Sequence, residues 1–393
     1  MKGTWKIYLL ALVSFLVGTS EYIISGILDK ISVSLDISIT SAGQLVTIFS
    51  FIYAVCTPVI MALTAKMERQ KLLVIAMGVF VIANVLAFIL PGYGLFVAAR
   101  ALMALGAGTV VVTALDIAAK IAPEGKQAGS IANVVMGFTV SMIVGVPLGR
   151  MAAAAYGWRS IFGFLVLAGL LAMIVLYFAI PRVKGDAPVP LTKQLGLLKN
   201  RRTVLGLAIT FFWLGGYSVA YTYLSPYLLT VAGVHENALS GILLAFGIAS
   251  LIGSKFGGYS TDKWGVTPTL TGGMLLHIAA LVLLTVTVAF TNSWLPIVAI
   301  LMLWSFTAWS TGPTQQFNLV RIEPEYSGIM LSLNQSTMQL SMAAGAGIGG
   351  IVVDQISLSQ ITWIGAAGVV IALLASFLLN GQMKEKALAS NAD

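Results

Sequence analysis

The chain has 393 residues, 58% of them hydrophobic and only 9% charged, against roughly 45–50% and about 25% in an ordinary soluble domain. A water-soluble fold cannot hide that much apolar surface, whereas a bilayer can, so the composition excludes a soluble enzyme and indicates a membrane protein. The net charge of +8 follows membrane topology in its distribution and gives no case for nucleic acid. The one cysteine, Cys56, excludes an intramolecular disulfide, and His235 and His277 lie too far apart to form a spaced metal-ligand motif.

A hydrocarbon core needs about 20 apolar residues per helix, and the hydropathy pattern predicts spans near 6–28, 41–64, 71–91, 94–120, 128–152 and 158–180. After a polar stretch follow 203–231, 238–260, 267–290, 294–319, 327–352 and 359–381. The N-terminal residues Met1 to Lys6 run into the first apolar segment without a small-residue cleavage site, the pattern of an uncleaved first span. With the N-terminus in the cytoplasm, only Lys30, Arg150 and Arg159 fall outside and Arg100 falls within a span; every other Lys and Arg faces the cytoplasm. That bias predicts two cytoplasmic termini. The expected organisation is an N-terminal six-helix bundle over 1–180, a basic, proline-bearing cytoplasmic linker over 181–202, and a C-terminal six-helix bundle with a short tail over 203–393. The halves echo one another: Ala65-Lys66-Met67-Glu68-Arg69 follows the second span as Asp262-Lys263-Trp264-Gly265-Val266 follows the eighth. Repeated halves joined by a linker are a signature of secondary transporters.

In the first span, Glu21 places a carboxylate in hydrocarbon at a cost of roughly 2.5–3.5 kcal/mol on insertion scales. It is either a proton-binding group or a structural hydrogen bonder. Arg100, in the fourth span, lies at similar depth; a pair between them would lower the cost of each and tune Glu21. Asp116, nearer the cytoplasmic end of the same helix, stands four residues before Lys120, the spacing of an ordinary helix pair, and is a further candidate for proton coupling. Gly145-Val146-Pro147-Leu148-Gly149-Arg150 predicts a bent, closely packed end to the fifth span.

In the seventh span, Trp213, Tyr217 and Tyr221 recur at i, i+4 and i+8 on one face. Gln315 and Gln316 lie in the tenth, and Asn334, Gln335 and Gln339 bring amides deep into the eleventh. Aromatic walls with a few polar groups suit a small-molecule site, and the alternative is helix–helix contact. His277 reads as a polar packing residue. The run Gly345-Ala346-Gly347-Ile348-Gly349-Gly350 lies inside an apolar span and reads as helix packing, and no G-x-x-x-x-G-K-[ST] motif supports ATP-driven pumping.

With these residues in hand, the chain resembles the major facilitator superfamily, in particular its twelve-helix drug:proton antiporter family and the bacterial branch of sugar, purine and ribonucleoside exporters and chloramphenicol-type pumps. The resemblance covers nearly the whole chain. Its most specific piece is Gly18-Thr19-Ser20-Glu21-Tyr22 with Gly26-Ile27-Leu28, Leu35 and Ala42-Gly43-Gln44-Leu45, similar to the branch's first-helix signature, whose acid matches Glu21. The antiporter motif of the fifth span is matched at Gly145, Pro147 and Gly149, with Val146 and Arg150 in place of a Pro and a Gly. The intramembrane-arginine motif is matched at Arg100, Gly106 and Gly108 and departs at Met103 and Ala104. After the second span, Ala65 and Glu68 replace the usual Asp and Gly, whereas the second copy keeps Asp262 and Gly265.

The resemblance implies an all-α membrane protein of twelve transmembrane helices in two pseudo-symmetric six-helix bundles, around a cavity lined mainly by helices 1, 4, 7 and 10. It implies proton-coupled export by alternating access at a bacterial plasma membrane. The expected partners are a small-molecule substrate, protons and the lipid bilayer, with no nucleic acid and a monomeric state; no metal or cofactor is expected, the proton gradient being the energy source. Because the membrane interior offers few acids, neutral drugs, nucleobases, nucleosides or sugars fit better than polycations. A proton-coupled importer, a channel and an integral membrane enzyme are the rival readings. A channel lacks a continuous polar pore here, and an enzyme lacks a catalytic cluster.

Overall fold

A computed structural model describes residues 4–123, 127–185, 196–290 and 293–390. Much of the predicted linker, residues 186–195, lies outside these, as do Lys2, Lys126 and the last three residues of the tail. Among the described residues the chain is all helical, and twelve helices are long and apolar enough to cross a membrane. We number the membrane helices in chain order. In the first half they are α1 (Thr4–Gly26), α2 (Ile39–Leu63), α3 (Arg69–Ile89), α4 (Tyr93–Ile121), α5 (Gln127–Val140, continuing as Val146–Tyr156) and α6 (Ser160–Ala179). In the second half they are α7 (Arg201–Thr222), α8 (Glu236–Trp264), α9 (Val266–Phe290), α10 (Trp294–Ile322), α11 (Ser327–Gln355) and α12 (Ile361–Ser390).

Two predicted spans end differently in the structure. The first stops at Gly26 and restarts at once as a short helix, Leu28–Leu35. The seventh, expected to run through residue 231, ends at Thr222 and gives way to a turn, Leu224–Pro226, and a π-helical segment, Tyr227–Val231. Apolar content continues past both ends, so hydropathy alone does not show the breaks. Other ends have local causes. Ser38 caps α2 by accepting from the Ser41 amide at 3.0 Å, and Asn200 caps α7 by accepting from the Arg202 amide at 3.0 Å. Gly265 follows α8 with φ at +87°, a conformation that side-chain-bearing residues rarely adopt.

The chain divides into two compact units, Met1–Val189 and Pro190–Asp393. Within the first, α1 packs on α4, α5 and α6, α2 on α4, and α3 on α4 and α6; within the second, α7 packs on α10, α11 and α12, α8 on α10, and α9 on α10 and α12. Adding six to each helix number of the first unit yields the pairings of the second, so the repeat seen in the loops extends to helix packing.

Small residues set the closest contacts, as expected where lipid removes the hydrophobic drive between helices and close backbone approach must replace it. On α5, Gly137, Ser141, Gly145 and Gly149 recur every four residues and face α1. A Cβ at Gly137 would overlap the Ala11 carbonyl, one at Gly145 the Thr19 side chain, and one at Gly149 Ile23. From the α1 side, a Cβ at Gly18 would overlap Ser141 Oγ. The π-helical turn Ser141–Gly145 ends two residues before Pro147. Proline lacks an N–H and crowds the carbonyl four residues back, and a widened turn relieves both effects inside a helix.

Candidate functional site

Both units bury polar side chains within their spans. In the N-terminal unit, α1 carries Glu21 and α4 carries Arg100. The tight α1–α5 crossing holds α1 in place, and α4 packs against both α1 and α2. Glu21 is 5% exposed and Arg100 is fully buried. Among the described residues, Glu21 is the only acidic side chain under a tenth exposed. Arg100 Nη1 donates to the Ser20 carbonyl at 2.8 Å, so the guanidinium is fastened to the turn of α1 that bears Glu21, and it interacts electrostatically with that carboxylate. Its Cζ stands 4.2 Å above the Phe49 ring of α2, a cation–π contact that compensates part of its desolvation. Ser20 Oγ and Arg100 Nη1 both approach Met103 Sδ, at 3.5 and 3.7 Å.

Asp116 lies elsewhere, at the end of α4 toward Lys120. The i, i+4 pair read from the sequence is present, with Lys120 Nζ 3.2 Å from Asp116 Oδ1, but a closer partner is Arg69, whose Nε is 2.6 Å from Oδ2. Arg69 is the first residue of α3, and its backbone N–H donates to the Val183 carbonyl at 2.8 Å. Lys120 Nζ also donates to the Lys184 carbonyl at 3.2 Å. Asp116 is thus the centre of a clasp that joins α3, α4 and the segment after α6. Spacing along α4 could reveal only Lys120; Arg69 is far away in the chain.

In the C-terminal unit the structure separates the predicted amides from the predicted aromatics. Gln315 Nε2 donates to the Gly206 carbonyl at 2.7 Å and to Thr210 Oγ1 at 3.0 Å, Thr210 donates to Asn334 Oδ1 at 2.8 Å, and Asn318 donates to Gln315 Oε1 at 3.2 Å. This network ties α7, α10 and α11 together. Gln339 is buried, Gln335 half-buried and Gln316 exposed. No spacing or composition in the sequence marks Thr210 or Asn318 as members of this network.

The aromatic stripe is the core of a second cluster. Tyr217 stacks on Tyr221 with centroids 5.1 Å apart and planes 16° from parallel. Around Tyr217 stand Trp304 at 5.5 Å, Trp309 at 6.2 Å and His277 at 6.4 Å, and Tyr221 stacks in turn on Phe246 at 5.9 Å. Trp213 is buried one turn away, its ring against Gly312 of α10. Trp304 Nε1 donates to His277 Nε2 at 2.8 Å, which places the imidazole proton of the neutral ring on Nδ1. His277 therefore positions an aromatic wall, a more specific role than general packing. Trp304 and Trp309 are five residues apart, so no helical stripe marks them in the sequence.

Of the motif residues, Gly145 and Gly149 form the α1–α5 contact and Pro147 follows the π-helical turn. Gly265 makes the turn between α8 and α9, and Asp262 is exposed on the last turn of α8. No group of three or more His, Cys, Asp or Glu side chains suited to a metal occurs among the described residues.

Comparison with known proteins agrees with this architecture. The family model described as Major Facilitator Superfamily matches residues 10–345. The uncharacterized MFS-type transporter YbcL of Bacillus subtilis is 64% identical over 388 residues, covering 99% of both chains. The inner membrane transport protein YdhP of Escherichia coli K12 is 28% identical over 394 residues and covers both chains in full. The crystal structure of a D-xylose-proton symporter superposes with a TM-score of 0.77 over 96% of this chain and 97% of its own, at 18% identity, which is a likeness of fold.

Proposed function

The chain belongs to the Major Facilitator Superfamily and is a twelve-span membrane transporter, not an enzyme, and from that premise we propose that it exports a small uncharged organic molecule in exchange for protons. Glu21 carries this reading. A carboxylate 5% exposed on a membrane helix can shed its desolvation cost by taking a proton, and an intramembrane acid is a functional group by default. Its setting supplies a mechanical consequence. When Glu21 is ionised, it compensates the buried Arg100 guanidinium. When it is protonated, Arg100 keeps the Ser20 carbonyl and the Phe49 face but loses its countercharge. The contact between α1 and α4 then differs in strength between the two protonation states, as a proton-driven cycle of alternating access requires.

The resemblance of the first-helix segment and of Gly145, Pro147 and Gly149 to the antiporter branch supports export as the direction. The bacterial relatives support a plasma-membrane protein, and the distribution of Lys and Arg supports two cytoplasmic termini; in this reading the protein works as a monomer on the proton gradient alone.

Reconstitution into proteoliposomes with an imposed proton gradient tests the proposal, using a panel of nucleobases, sugars, neutral antibiotics and lipophilic cations. The wild type should concentrate an uncharged member of the panel against its gradient. Glu21→Gln should abolish this uphill movement while retaining binding, with the pH dependence of binding gone. A Gln variant that still concentrates substrate would remove Glu21 from the coupling role. Everted vesicles with an acidic interior should accumulate the substrate; accumulation only in right-side-out vesicles would make the protein a symporter. Cysteines at Pro190 and Leu388, with Cys56 replaced, should label only from the cytoplasm.

A further inference from the structure

The outer face of α8 changes character along its length. Leu244, Ile248 and Ile252 recur at four-residue spacing and are exposed, so this face of a membrane helix lies against acyl chains. The same face continues through Lys255, Tyr259 and Lys263, at i, i+4 and i+8, all exposed. It points away from α10, onto which α8 packs through Gly253 and Gly257, where a Cβ would overlap the Phe306 and Ser310 carbonyls. The fold does not require cations here, as the internal repeat shows. With Lys66 matched to Lys263, the α2 positions that correspond to Lys255, Phe256 and Tyr259 hold Pro58, Val59 and Ala62. The first unit is apolar where the second carries lysine and aromatic rings.

Depth sets what these cations meet. Residues 237–254 carry no charge, about 27 Å of helix, close to the roughly 30 Å of a hydrocarbon core. Lys255 therefore stands where hydrocarbon gives way to headgroups, and Lys263 stands about 12 Å further along the axis with Tyr259 midway. Among the described residues, Lys255 has no hydrogen bond or ion pair. Lys263 Nζ donates to Tyr259 Oη at 3.2 Å and lies 5.6 Å from the Tyr259 centroid and 6.0 Å from that of Trp264. That bond uses Tyr259 Oη as an acceptor and leaves its O–H free to donate. The four-carbon stems let both ammonium groups converge on the level of Tyr259. Asp262 is exposed beside Lys263, so the two lysines and this acid leave one net positive charge at the interface.

We propose that this face of α8 binds one anionic phospholipid, its phosphate held by Lys255, Lys263 and the Tyr259 hydroxyl and its acyl chains laid along Ile252, Ile248 and Leu244. A lipid with one net negative charge neutralises the patch, whereas a zwitterionic lipid leaves its positive charge in place. The exposed apolar face that leads to the cations selects a lipid over a free phosphate. The site is separate from the Glu21 and Tyr217 clusters and is independent of the transported molecule and of the direction of transport.

Native mass spectrometry of the purified full chain in non-ionic detergent tests it, with titrations of dioleoylphosphatidylglycerol, dioleoylphosphatidylethanolamine and inorganic phosphate. One equivalent of phosphatidylglycerol should bind about tenfold more tightly than phosphatidylethanolamine, and phosphate should neither bind nor displace it. Lys255→Gln and Lys263→Gln should each weaken that equivalent about three- to tenfold, and the double variant by more than either. Tyr259→Phe keeps the ring, deletes the O–H and should weaken it about threefold. Lys71→Gln, which removes an exposed lysine of α3, should leave it unchanged. Equal affinity for the two lipids would overturn the proposal, as would tight binding of phosphate alone. A loss in Lys71→Gln as large as in Lys255→Gln would overturn it too, by reducing the effect to diffuse attraction between a basic protein and an anionic lipid. A phosphatidylglycerol equivalent unmoved in the double lysine variant would place the lipid elsewhere.

Discussion

Arg150 of α5 grips Asp29 through both terminal nitrogens, Nη1 to Oδ1 at 2.8 Å and Nη2 to Oδ2 at 3.0 Å, and Nη1 also donates to the Gly26 carbonyl at 2.6 Å. One guanidinium thereby bridges the break at which α1 stops and the helix Leu28–Leu35 begins, bonding to the last carbonyl of one and the first-turn acid of the other. Its side chain is 2% exposed and that of Asp29 is 20% exposed. Removing one partner of such a pair strands the other. Arg150→Met should lower stability by about 2–3 kcal/mol, below the roughly 3–5 kcal/mol that breaking a fully buried pair costs because Asp29 is partly solvated. Arg150→Met with Asp29→Asn should lose less than the single Arg150 variant. Denaturation of the purified protein in mild detergent measures both. A double variant whose loss equals the sum of the Arg150→Met and Asp29→Asn losses would mean that the pair adds no coupling of its own.

Asp116 is predicted to be structural. Asp116→Asn takes the carboxylate from Arg69, whose side chain is 5% exposed, and should cost about 2–3 kcal/mol. Lys120→Ala touches a more exposed pair and should cost under about 1 kcal/mol. In the fraction that remains folded, Asp116→Asn should keep uphill, pH-driven transport. Loss of coupling in a stable Asp116→Asn protein would move the proton site to this clasp.

The glycine ladder of α5 makes a contrast within one helix. Gly137→Ala drives a methyl into the Ala11 carbonyl, whereas Gly129→Ala meets nothing within 4 Å. The first should destabilise by about 1–3 kcal/mol through overpacking, and the second should be neutral or stabilising by up to about 1 kcal/mol because alanine favours the helix. Thermal unfolding curves of the two variants decide it, and similar behaviour would refute close α1–α5 contact at residue 137.

Gln315→Ala removes two interhelical hydrogen bonds, to Gly206 and Thr210. Such bonds average about 0.6 kcal/mol each in membrane proteins, so a loss of about 1–2 kcal/mol in stability is expected, with substrate affinity of the folded protein unchanged. Affinity that falls tenfold with stability intact would return Gln315 to the ligand site.

The membrane class, the twelve spans, the division near the middle of the chain and the positions of Glu21 and Arg100 at matching depth are all legible in the amino-acid sequence. Each rests on a property that acts locally or one-dimensionally. An apolar run of sufficient length must become a helix in lipid, because no water satisfies its backbone. A charged residue inside such a run is conspicuous wherever it packs. The i, i+4 stripe of Trp213, Tyr217 and Tyr221 is legible for the same reason, since helical geometry alone places the three on one face.

Which faces meet was decided by tertiary structure. Arg69 and Val183, Arg150 and Asp29, Gln315 and Thr210, and Trp304 and His277 are pairs that no spacing rule connects. The physical reason is the solvent. In water an apolar stripe announces the face a helix will bury, but in lipid every face is apolar enough, and the choice falls to shape and hydrogen bonding between helices. That choice engaged the amides of Gln315 and Asn334 with Thr210 and the helix backbone, placed His277 behind an aromatic wall, and left the indole N–H of Trp213 as a buried donor beside Tyr217.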